Sequence, residues 1–206
     1  MKNLNNIILI GPMATGKSSI GKEVSVLTGW KNYPVDKLKW YYRYKNGFDG
    51  VKSSTILQSK GFDALVSYSQ KYFGIQELRD LINNFSGIIE LGASDTHRND
   101  LNYIRDINKL LEPYPNIFLI LPYEDEDLSI EILTKRLRSR YHLDPLKSGV
   151  LMSYINKNLE FIRSPQNLLL AKHIIYTNDR PFHQIAQEIV YRSELKSKDT
   201  DYKNVI

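Results

Sequence analysis

Short apolar runs alternate along this sequence with segments whose apolar residues recur at helical spacing. The apolar runs predict buried parallel strands over residues 4–10, 32–35, 87–91, 116–121 and 173–176. The amphipathic segments predict helices over residues 17–27, 37–46, 61–85, 100–111, 128–140, 151–162 and 181–195. Glycines at positions 47, 50, 61 and 74 are expected to break the second and third of these helices. Five strands that alternate with helices indicate an α/β fold, with a parallel sheet covered on both faces.

Length and composition suit one ordinary globular domain, since the 206 residues are 42% hydrophobic and 25% charged. No stretch reaches the roughly 18 apolar residues of a membrane span. The apolar run over residues 7–10 is too short for a signal-peptide core. The absence of cysteine excludes disulfides, thiolate nucleophiles and cysteine-bound metals. The sequence therefore predicts a cytoplasmic protein that does not bind membranes.

The net charge of +5 is concentrated in two segments. Residues 37–52 hold five basic side chains against one acidic, and residues 131–147 hold five against two. Such segments favour a polyanionic ligand, either a phosphate-rich small molecule or a nucleic acid. Two solvated helix faces would have the same composition, so charge alone leaves both interpretations open.

The strongest motif is GPMATGKS at residues 11–18, which fits the phosphate-loop pattern G-x-x-x-x-G-K-S/T. It follows a predicted strand and opens a predicted helix, where backbone N–H groups and the helix dipole attract phosphate. Lys17 is expected to contact the β- and γ-phosphates, and the Ser18 hydroxyl to ligate Mg²⁺. The predicted nucleotide contacts are Gly11, Met13, Ala14, Thr15, Gly16, Lys17, Ser18 and Ser19. This motif indicates nucleotide binding, without distinguishing a kinase from an ATPase or a GTPase.

Further segments resemble the shikimate kinase family, within the P-loop kinases that are similar to nucleoside monophosphate kinases. Residues 10–22 are similar to that family's first motif, and Asp36 follows Lys17 by 19 residues, as the family's second aspartate does. Leu91-Gly92-Ala93 stands in place of a glycine-rich substrate motif, and Arg163-Ser164-Pro165 is similar to the family's R-x-P motif. The similarity runs through nearly the whole chain.

The resemblance implies a fold and an organisation of the chain. The fold would be a three-layer P-loop NTPase sandwich, with a five-stranded parallel sheet in the order 2-3-1-4-5 and helices on both faces. One kinase domain would span residues 1–195, with a substrate-binding subdomain at about 37–85 and a lid at about 138–150. Residues 196–206 would form a polar tail.

The resemblance also implies roles for single residues. Asp36 would hold the acceptor hydroxyl and act as the base, Gly92 would contact the substrate, and Arg163 would bind an acceptor carboxylate. However, Asp63 stands where the family has a second carboxylate-binding arginine, and Pro34 stands where it has an aspartate near Mg²⁺. We therefore predict that shikimate is a poor acceptor, and that Asp63 binds a hydroxyl or an amine.

The positions of two further residues in the predicted fold make them candidates for the site, one a carboxylate and the other an arginine of the lid. Glu90 ends the third strand, where ligands bind in open α/β sheets, so it is expected to ligate Mg²⁺ or face the acceptor. Pairing with a structural base is the alternative for Glu90. Arg140 is the preferred arginine for closing on the transferred phosphoryl group, because it lies nearest the predicted loop over 142–149. Asp144 stands where the family has its own lid arginine. Asp36 has the alternative role of a helix N-cap.

Together these features predict an ATP- and Mg²⁺-dependent kinase. It would move the γ-phosphoryl group to a hydroxyl of a small, anionic metabolite other than shikimate, and would be a monomer or a homodimer. Two alternatives stay open. The basic and aromatic residues of 37–52 favour a nucleoside or polynucleotide kinase. The loss of the family's aspartate and arginine favours a regulatory NTPase or binding module without an acceptor.

Overall fold

Five parallel strands lie side by side in the order β2-β3-β1-β4-β5, which confirms the predicted sheet. The structure is a computed structural model that describes residues 4–141 and 149–193. Its strands are β1 Ile7–Ile10, β2 Asn32–Pro34, β3 Ile88–Glu90, β4 Ile117–Leu121 and β5 His173–Tyr176. β1 pairs with β3 on one side and with β4 on the other, so all four of its residues are buried. The predicted tail and most of the predicted lid, including Asp144, lie outside the described residues.

Helices connect the strands. They are α1 Lys17–Thr28, α2 Val35–Lys45, α3 Gly50–Gln70, α4 Ile75–Asn84, α5 Ala93–Thr96, α6 Leu101–Leu111, α7 Glu126–Tyr141, α8 Leu151–Ile162, α9 Pro165–Leu170 and α10 Phe182–Arg192. The short helices α5 and α9 were not predicted from the sequence. None of the helices in the described ranges is long and apolar enough to cross a bilayer.

The start of the helix predicted over residues 61–85 is wrong, whereas the breaks predicted at Gly61 and Gly74 are confirmed. α3 begins at Gly50, and Gly74 separates it from α4. Gly61 interrupts α3 with φ of +79° and ψ of −177°, a conformation open to glycine but strained for other residues. An added Cβ at Gly61 would also lie 2.8 Å from Ser153 Oγ of α8. The kink therefore lets the second half of α3 pack against α8.

Alternate residues of β1 pack into two different hydrophobic cores, because successive side chains of a strand point to opposite faces of the sheet. Ile8 and Ile10 belong to a core that α4 and α6 cover, whereas Ile7 and Leu9 belong to a core that α1 and α10 cover. The sheet is thus enclosed on both faces, as predicted.

The loop after β1 leaves the sheet through Gly11, which has φ of +137°. An added Cβ at Gly11 would lie 2.6 Å from the carbonyl oxygen of Ile120 in β4, so only glycine fits this crossing. β2 and β3 end at the same edge of the sheet, which places the start of α2 and Glu90 beside the loop.

Candidate active site

A cleft of about 520 Å³ lies at the carboxyl edge of β1, β2 and β3. Residues 13–19 of the loop line it, together with Asp36 of α2, Glu90 of β3 and Arg140 of α7. The cleft thus brings together the predicted nucleotide contacts from Met13 onward, the predicted base, the predicted metal ligands and the predicted lid arginine. Gly11 lies beneath it and contributes its carbonyl oxygen.

Lys17 is held over the loop by two backbone carbonyls. Its Nζ donates to the carbonyl oxygens of Gly11 and Pro12, both at 2.7 Å. Burial lowers the pKa of Lys17 to about 8, although the carboxylates of Asp36 and Glu90 act in the opposite direction. The loop therefore contains a half-buried ammonium group whose described hydrogen bonds go only to neutral carbonyls. A phosphate would stabilise its charge.

A side chain from α8 fixes the loop backbone. The Met13 N–H donates to Asn158 Oδ1 at 2.7 Å, and Asn158 Nδ2 donates to the Met13 carbonyl at 3.3 Å. Arg136 of α7 donates to the Ala14 carbonyl at 3.4 Å and lies 3.6 Å from Asp179. The cleft therefore has two basic residues from α7, Arg136 as well as the predicted Arg140.

Glu90 is buried beside the loop serine. Ser18 Oγ donates to Glu90 Oε2 at 2.8 Å, and Asn32 Nδ2 donates to Glu90 Oε1 at 2.5 Å. Pro34, which stands in place of the family's aspartate, is the strand partner of Glu90. The alternative prediction, that Glu90 pairs with a structural base, is wrong. Its described partners are the Asn32 amide and the Ser18 hydroxyl.

The pair of Ser18 and Glu90 fits a Mg²⁺ ion that is shared with a nucleotide. Mg²⁺ prefers oxygen ligands, keeps several waters and is commonly held by one or two carboxylates plus substrate phosphates. The described residues contain no group of three or more histidine, aspartate or glutamate side chains that could hold a metal alone. The donor set therefore suits a metal that arrives with the nucleotide.

Asp36 lies in the first turn of α2, with 73% of its side chain exposed and lining the cleft. Its Oδ1 accepts a hydrogen bond from Lys39 Nζ at 2.8 Å. Lys39 holds the pKa of Asp36 below its usual range, with a smaller contribution from Lys17. The N-cap interpretation of Asp36 is wrong, because Pro34 occupies the cap position.

A second, smaller pocket of about 180 Å³ is lined by α3, by residues 97–99 and by α8. Asp63 lines this pocket and pairs with Lys157 of α8 at 2.6 Å. Lys157 also pairs with Glu160 at 2.6 Å, and His97 lies 3.7 Å from Glu160. The carboxylate of Asp63 is therefore neutralised by a lysine from another helix, and it does not line the cleft that contains Asp36.

Arg163 lies away from both cavities. Its Nε donates to Glu126 Oε1 at 2.9 Å, and both side chains are more than half exposed. Gly92 does lie beside the predicted base, since an added Cβ there would be 2.4 Å from Asp36 Oδ1. Of the predicted substrate contacts, the structure therefore brings Gly92 to Asp36 and places Asp63 and Arg163 elsewhere.

Several residues at the site were not identified as site residues from the sequence. Lys39 and Asp95 form a buried ion pair at 2.7 Å under Asp36, and Asn158 and Asn32 bond to the loop and to Glu90. The three-residue spacing of Asp36 and Lys39 on a helix is a signal that could have identified that contact. The amide contacts join distant segments, so no local pattern marks them.

Comparison of the chain with models of known protein families gives no match. A shikimate kinase from Marinomonas sp. (strain MWYL1) is 28% identical over 104 residues, which cover 43% of this chain and 57% of that protein. The match therefore spans little more than half of the relative's length.

Solved structures extend the comparison to most of the chain. Shikimate kinase from Acinetobacter baumannii, in complex with shikimate, has a TM-score of 0.55 at 19% identity over 92% of each chain. A gluconokinase from Sinorhizobium meliloti 1021 has a TM-score of 0.53 at 16% identity over 92% of each chain. The sheet order and the phosphate loop define a P-loop NTPase fold. Within that class, the chain has the shikimate kinase-like P-loop kinase fold.

Proposed function

We propose that this protein is a Mg²⁺- and ATP-dependent kinase that phosphorylates a hydroxyl of a small molecule. The observation that carries the proposal is one cleft in which Lys17 and Ser18 of a complete phosphate loop lie with Asp36 and Glu90. Small-molecule kinases among the proteins of similar sequence and fold support it.

Six polar or charged residues of the cleft have roles in this proposal. Lys17 contacts the β- and γ-phosphates, and Arg136 and Arg140 neutralise charge on the transferred phosphoryl group. Ser18 and Glu90 hold Mg²⁺, which when bound supplies positive charge to the nucleotide phosphates. Asp36, ionised at neutral pH, accepts the proton of the acceptor hydroxyl.

The transfer balances as an in-line displacement. The acceptor oxygen forms a bond to the γ-phosphorus as the bond from that phosphorus to the bridging oxygen breaks. ADP leaves with the electron pair of the broken bond. The hydroxyl proton passes to Asp36, which then releases it to water.

The acceptor in this proposal is not shikimate and carries one anionic group. The residue type at position 63 supports the first part, because an aspartate where the shikimate kinases have an arginine offers no attraction to a shikimate carboxylate. Lys37 supports the second part, since it lines the cleft next to Asp36 in the chain and supplies positive charge there.

A screen for ADP release with hydroxylated metabolites tests the proposal. We expect turnover with at least one acceptor other than shikimate, and less than about 1 s⁻¹ with shikimate itself. With the acceptor found, Asp36→Asn should lower kcat by about 10² or more while ATP affinity stays near normal. Asp106→Asn on the surface of α6 is the matched control and should leave kcat unchanged. ATP binding without any acceptor-dependent turnover would contradict the kinase assignment.

A nucleoside or oligonucleotide acceptor is the second candidate, and one surface favours it. Trp40, Tyr41 and Tyr44 are 55%, 68% and 83% exposed on the face of α2 that continues from Asp36. Lys37 is exposed on the same face. Exposed aromatic rings beside basic side chains suit base stacking and phosphate binding.

The two candidates differ in their response to salt and to loss of Trp40. An oligonucleotide with a free 5′-hydroxyl should bind more weakly as salt rises, and Trp40→Ala should raise its KM several-fold. Tyr191→Ala, on an exposed part of α10, is the control. Turnover of small metabolites alone would exclude this second candidate.

A further inference from the structure

Lys39 is the most deeply buried charged side chain at the cleft, with 1% of it exposed. Its Nζ lies 2.8 Å from Asp36 Oδ1 and 2.7 Å from Asp95 Oδ1. The ring of Phe73 lies beneath it, with the centroid 5.5 Å from Nζ. A buried ammonium group is tolerated only when it is paired, so these two carboxylates are what allows Lys39 to be there.

Asp95 is itself fixed from the other side. Its side chain is 2% exposed, and its Oδ2 accepts the Gly92 N–H at 2.9 Å. A continuous chain of contacts therefore runs from the backbone after β3, through Asp95 and Lys39, to Asp36 in α2. It ties two segments of the cleft wall that come from different parts of the sequence.

Unlike the buried Lys39 and Asp95, Asp36 is exposed and lines the cleft. An exposed aspartate without a buried partner would move between several rotamers, at a cost when one of them must be selected. Contact with Lys39 engages Oδ1, and none of the described hydrogen bonds or ion pairs engages Oδ2 of this exposed, cleft-lining carboxylate. Gly92 leaves space for this arrangement, because an added Cβ would lie 2.4 Å from Asp36 Oδ1 and 2.9 Å from Lys39 Nζ.

We propose that Lys39 is a positioning residue: it holds Asp36 by Oδ1, so that Oδ2 meets the acceptor hydroxyl in the transition state. The inference rests on the proposed role of Asp36 as the base. Lys39 acts through Asp36 and touches neither the nucleotide nor the acceptor. Asp95 matches the charge of Lys39 from the other side, and Lys39 still has Asp36 as its ion-pair partner when Asp95 is neutralised.

The charges around Asp36 predict how its titration responds. Lys39 and Arg43 face it from α2, and Lys17 faces it from α1, while Asp95 lies behind Lys39. Among these, Lys39 lowers the pKa of Asp36 most. Removal of Lys39 should therefore raise that pKa. The acidic limb of the pH–rate profile should then move to higher pH.

The test uses a double variant, Lys39→Met with Asp95→Asn. It removes the buried ammonium group of Lys39 and the buried carboxylate of Asp95 together. This avoids leaving an unpaired buried charge, and the new amide oxygen still accepts the Gly92 N–H. Asp95→Asn alone is the matched control, since Lys39 then still holds Asp36. The Asp36 carboxyl is titrated by carbon-13 NMR in each protein, with Asp36→Asn to assign its resonance.

We expect the pKa of Asp36 to rise by about one unit or more in the double variant and not to rise in the control. With an acceptor, kcat should fall about tenfold or more in the double variant only, with nucleotide affinity unchanged within about twofold. A folded double variant with an unchanged Asp36 titration, or with unchanged kcat, overturns the proposal. Equal losses of kcat in the double variant and the control also overturn it, because they indicate a structural role alone.

Failure of the proposed function gives a different result. The NMR titration needs neither nucleotide nor acceptor, so it tests the hold of Lys39 on Asp36 by itself. Full turnover by Asp36→Asn would overturn the role of Asp36 as the base, and the positioning role with it, even if the titration responds as expected.

If the double variant does not fold, Lys39→Arg replaces it. A guanidinium keeps the charge and changes the geometry, so we then expect lower kcat with an Asp36 pKa that stays below its usual range. Unchanged kcat in Lys39→Arg overturns the proposal.

Discussion

Nucleotide binding should be coupled to protonation of Lys17. Burial lowers the pKa of this lysine to about 8 in the protein alone, from the usual 10.5. A nucleotide places negative phosphates beside the ammonium group, which favours its charged form and raises its pKa again. Between about pH 8 and pH 10.5 the free protein carries a mostly neutral lysine and the complex a charged one. Binding in this range must therefore take up a proton.

The size of the uptake follows from the pKa. At pH 9 a lysine of pKa about 8 is about 90% neutral, whereas at pH 7 it is about 10% neutral. A complex in which Lys17 has regained its usual pKa therefore takes up about 0.9 proton at pH 9 and about 0.1 at pH 7. Affinity that depends on the charged lysine falls about tenfold between pH 7 and pH 9, or about 1.4 kcal/mol.

Titration calorimetry measures this uptake directly. Mg²⁺-ATP is titrated into the protein at pH 7 and pH 9, each in two buffers whose ionisation enthalpies differ. The matched control is Lys17→Arg, since a guanidinium stays charged at both pH values. An uptake at pH 9 no larger than at pH 7 would refute the reasoning. So would an equal uptake by the arginine variant, because the proton would then go to another group.

Two further substitutions test the walls of the cleft. Gly92→Ala should lower kcat about tenfold or more, because the new Cβ would lie 2.4 Å from Asp36 Oδ1, while ATP affinity changes little. Gly50→Ala meets no atom within 4 Å and is the control in the same kinetic assay, where equal kcat values for both variants would contradict the prediction. Glu90→Gln should raise the Mg²⁺ concentration needed for half-maximal ATP binding about tenfold, because it removes the carboxylate beside Ser18. Measured by calorimetry over a Mg²⁺ series, an unchanged requirement would exclude Glu90 as a metal ligand.

The fold could be predicted because its signals are local in the sequence. Every residue of β1 and β3 is buried, and the apolar residues of both strands, four in β1 and two before Glu90 in β3, form the runs that predicted them. The loop over 11–18 and Asp36 are also short-range features, since the end of a strand and the first turn of a helix fix their positions. The structure places both at the cleft for that reason.

The first part of α3 could not be predicted in this way. Residues 50–60 are mostly polar, and Ser53 and Leu57 are their buried side chains. So few apolar positions give no helical period, and tertiary contacts decide the conformation instead. The interruption at Gly61 then breaks the pattern a second time.

The positions of the predicted substrate residues were harder to predict than the position of the phosphate loop, for a related reason. Arg163 was assigned through the R-x-P resemblance, yet a carboxylate from α7, Glu126, lies 2.9 Å from it. Asp63 was expected to bind an acceptor, and Lys157 from α8 pairs with it. Both partners are distant in the sequence, so the state of each charged group depends on packing that no motif encodes.

Two buried lysines and the half-buried Lys17 show how the protein distributes its charge between its own groups and a ligand. Lys39 pairs with two carboxylates and so does Lys157, and although burial opposes it, these partners raise both pKa values. Lys17 donates to two neutral carbonyls, and burial lowers its pKa to about 8. An added anion therefore gains most beside Lys17, because the charges of Lys39 and Lys157 are already matched by carboxylates. This difference explains why the phosphate loop is the place to expect the polyphosphate, and why the lysines behind Asp36 and Asp63 serve to hold carboxylates in place.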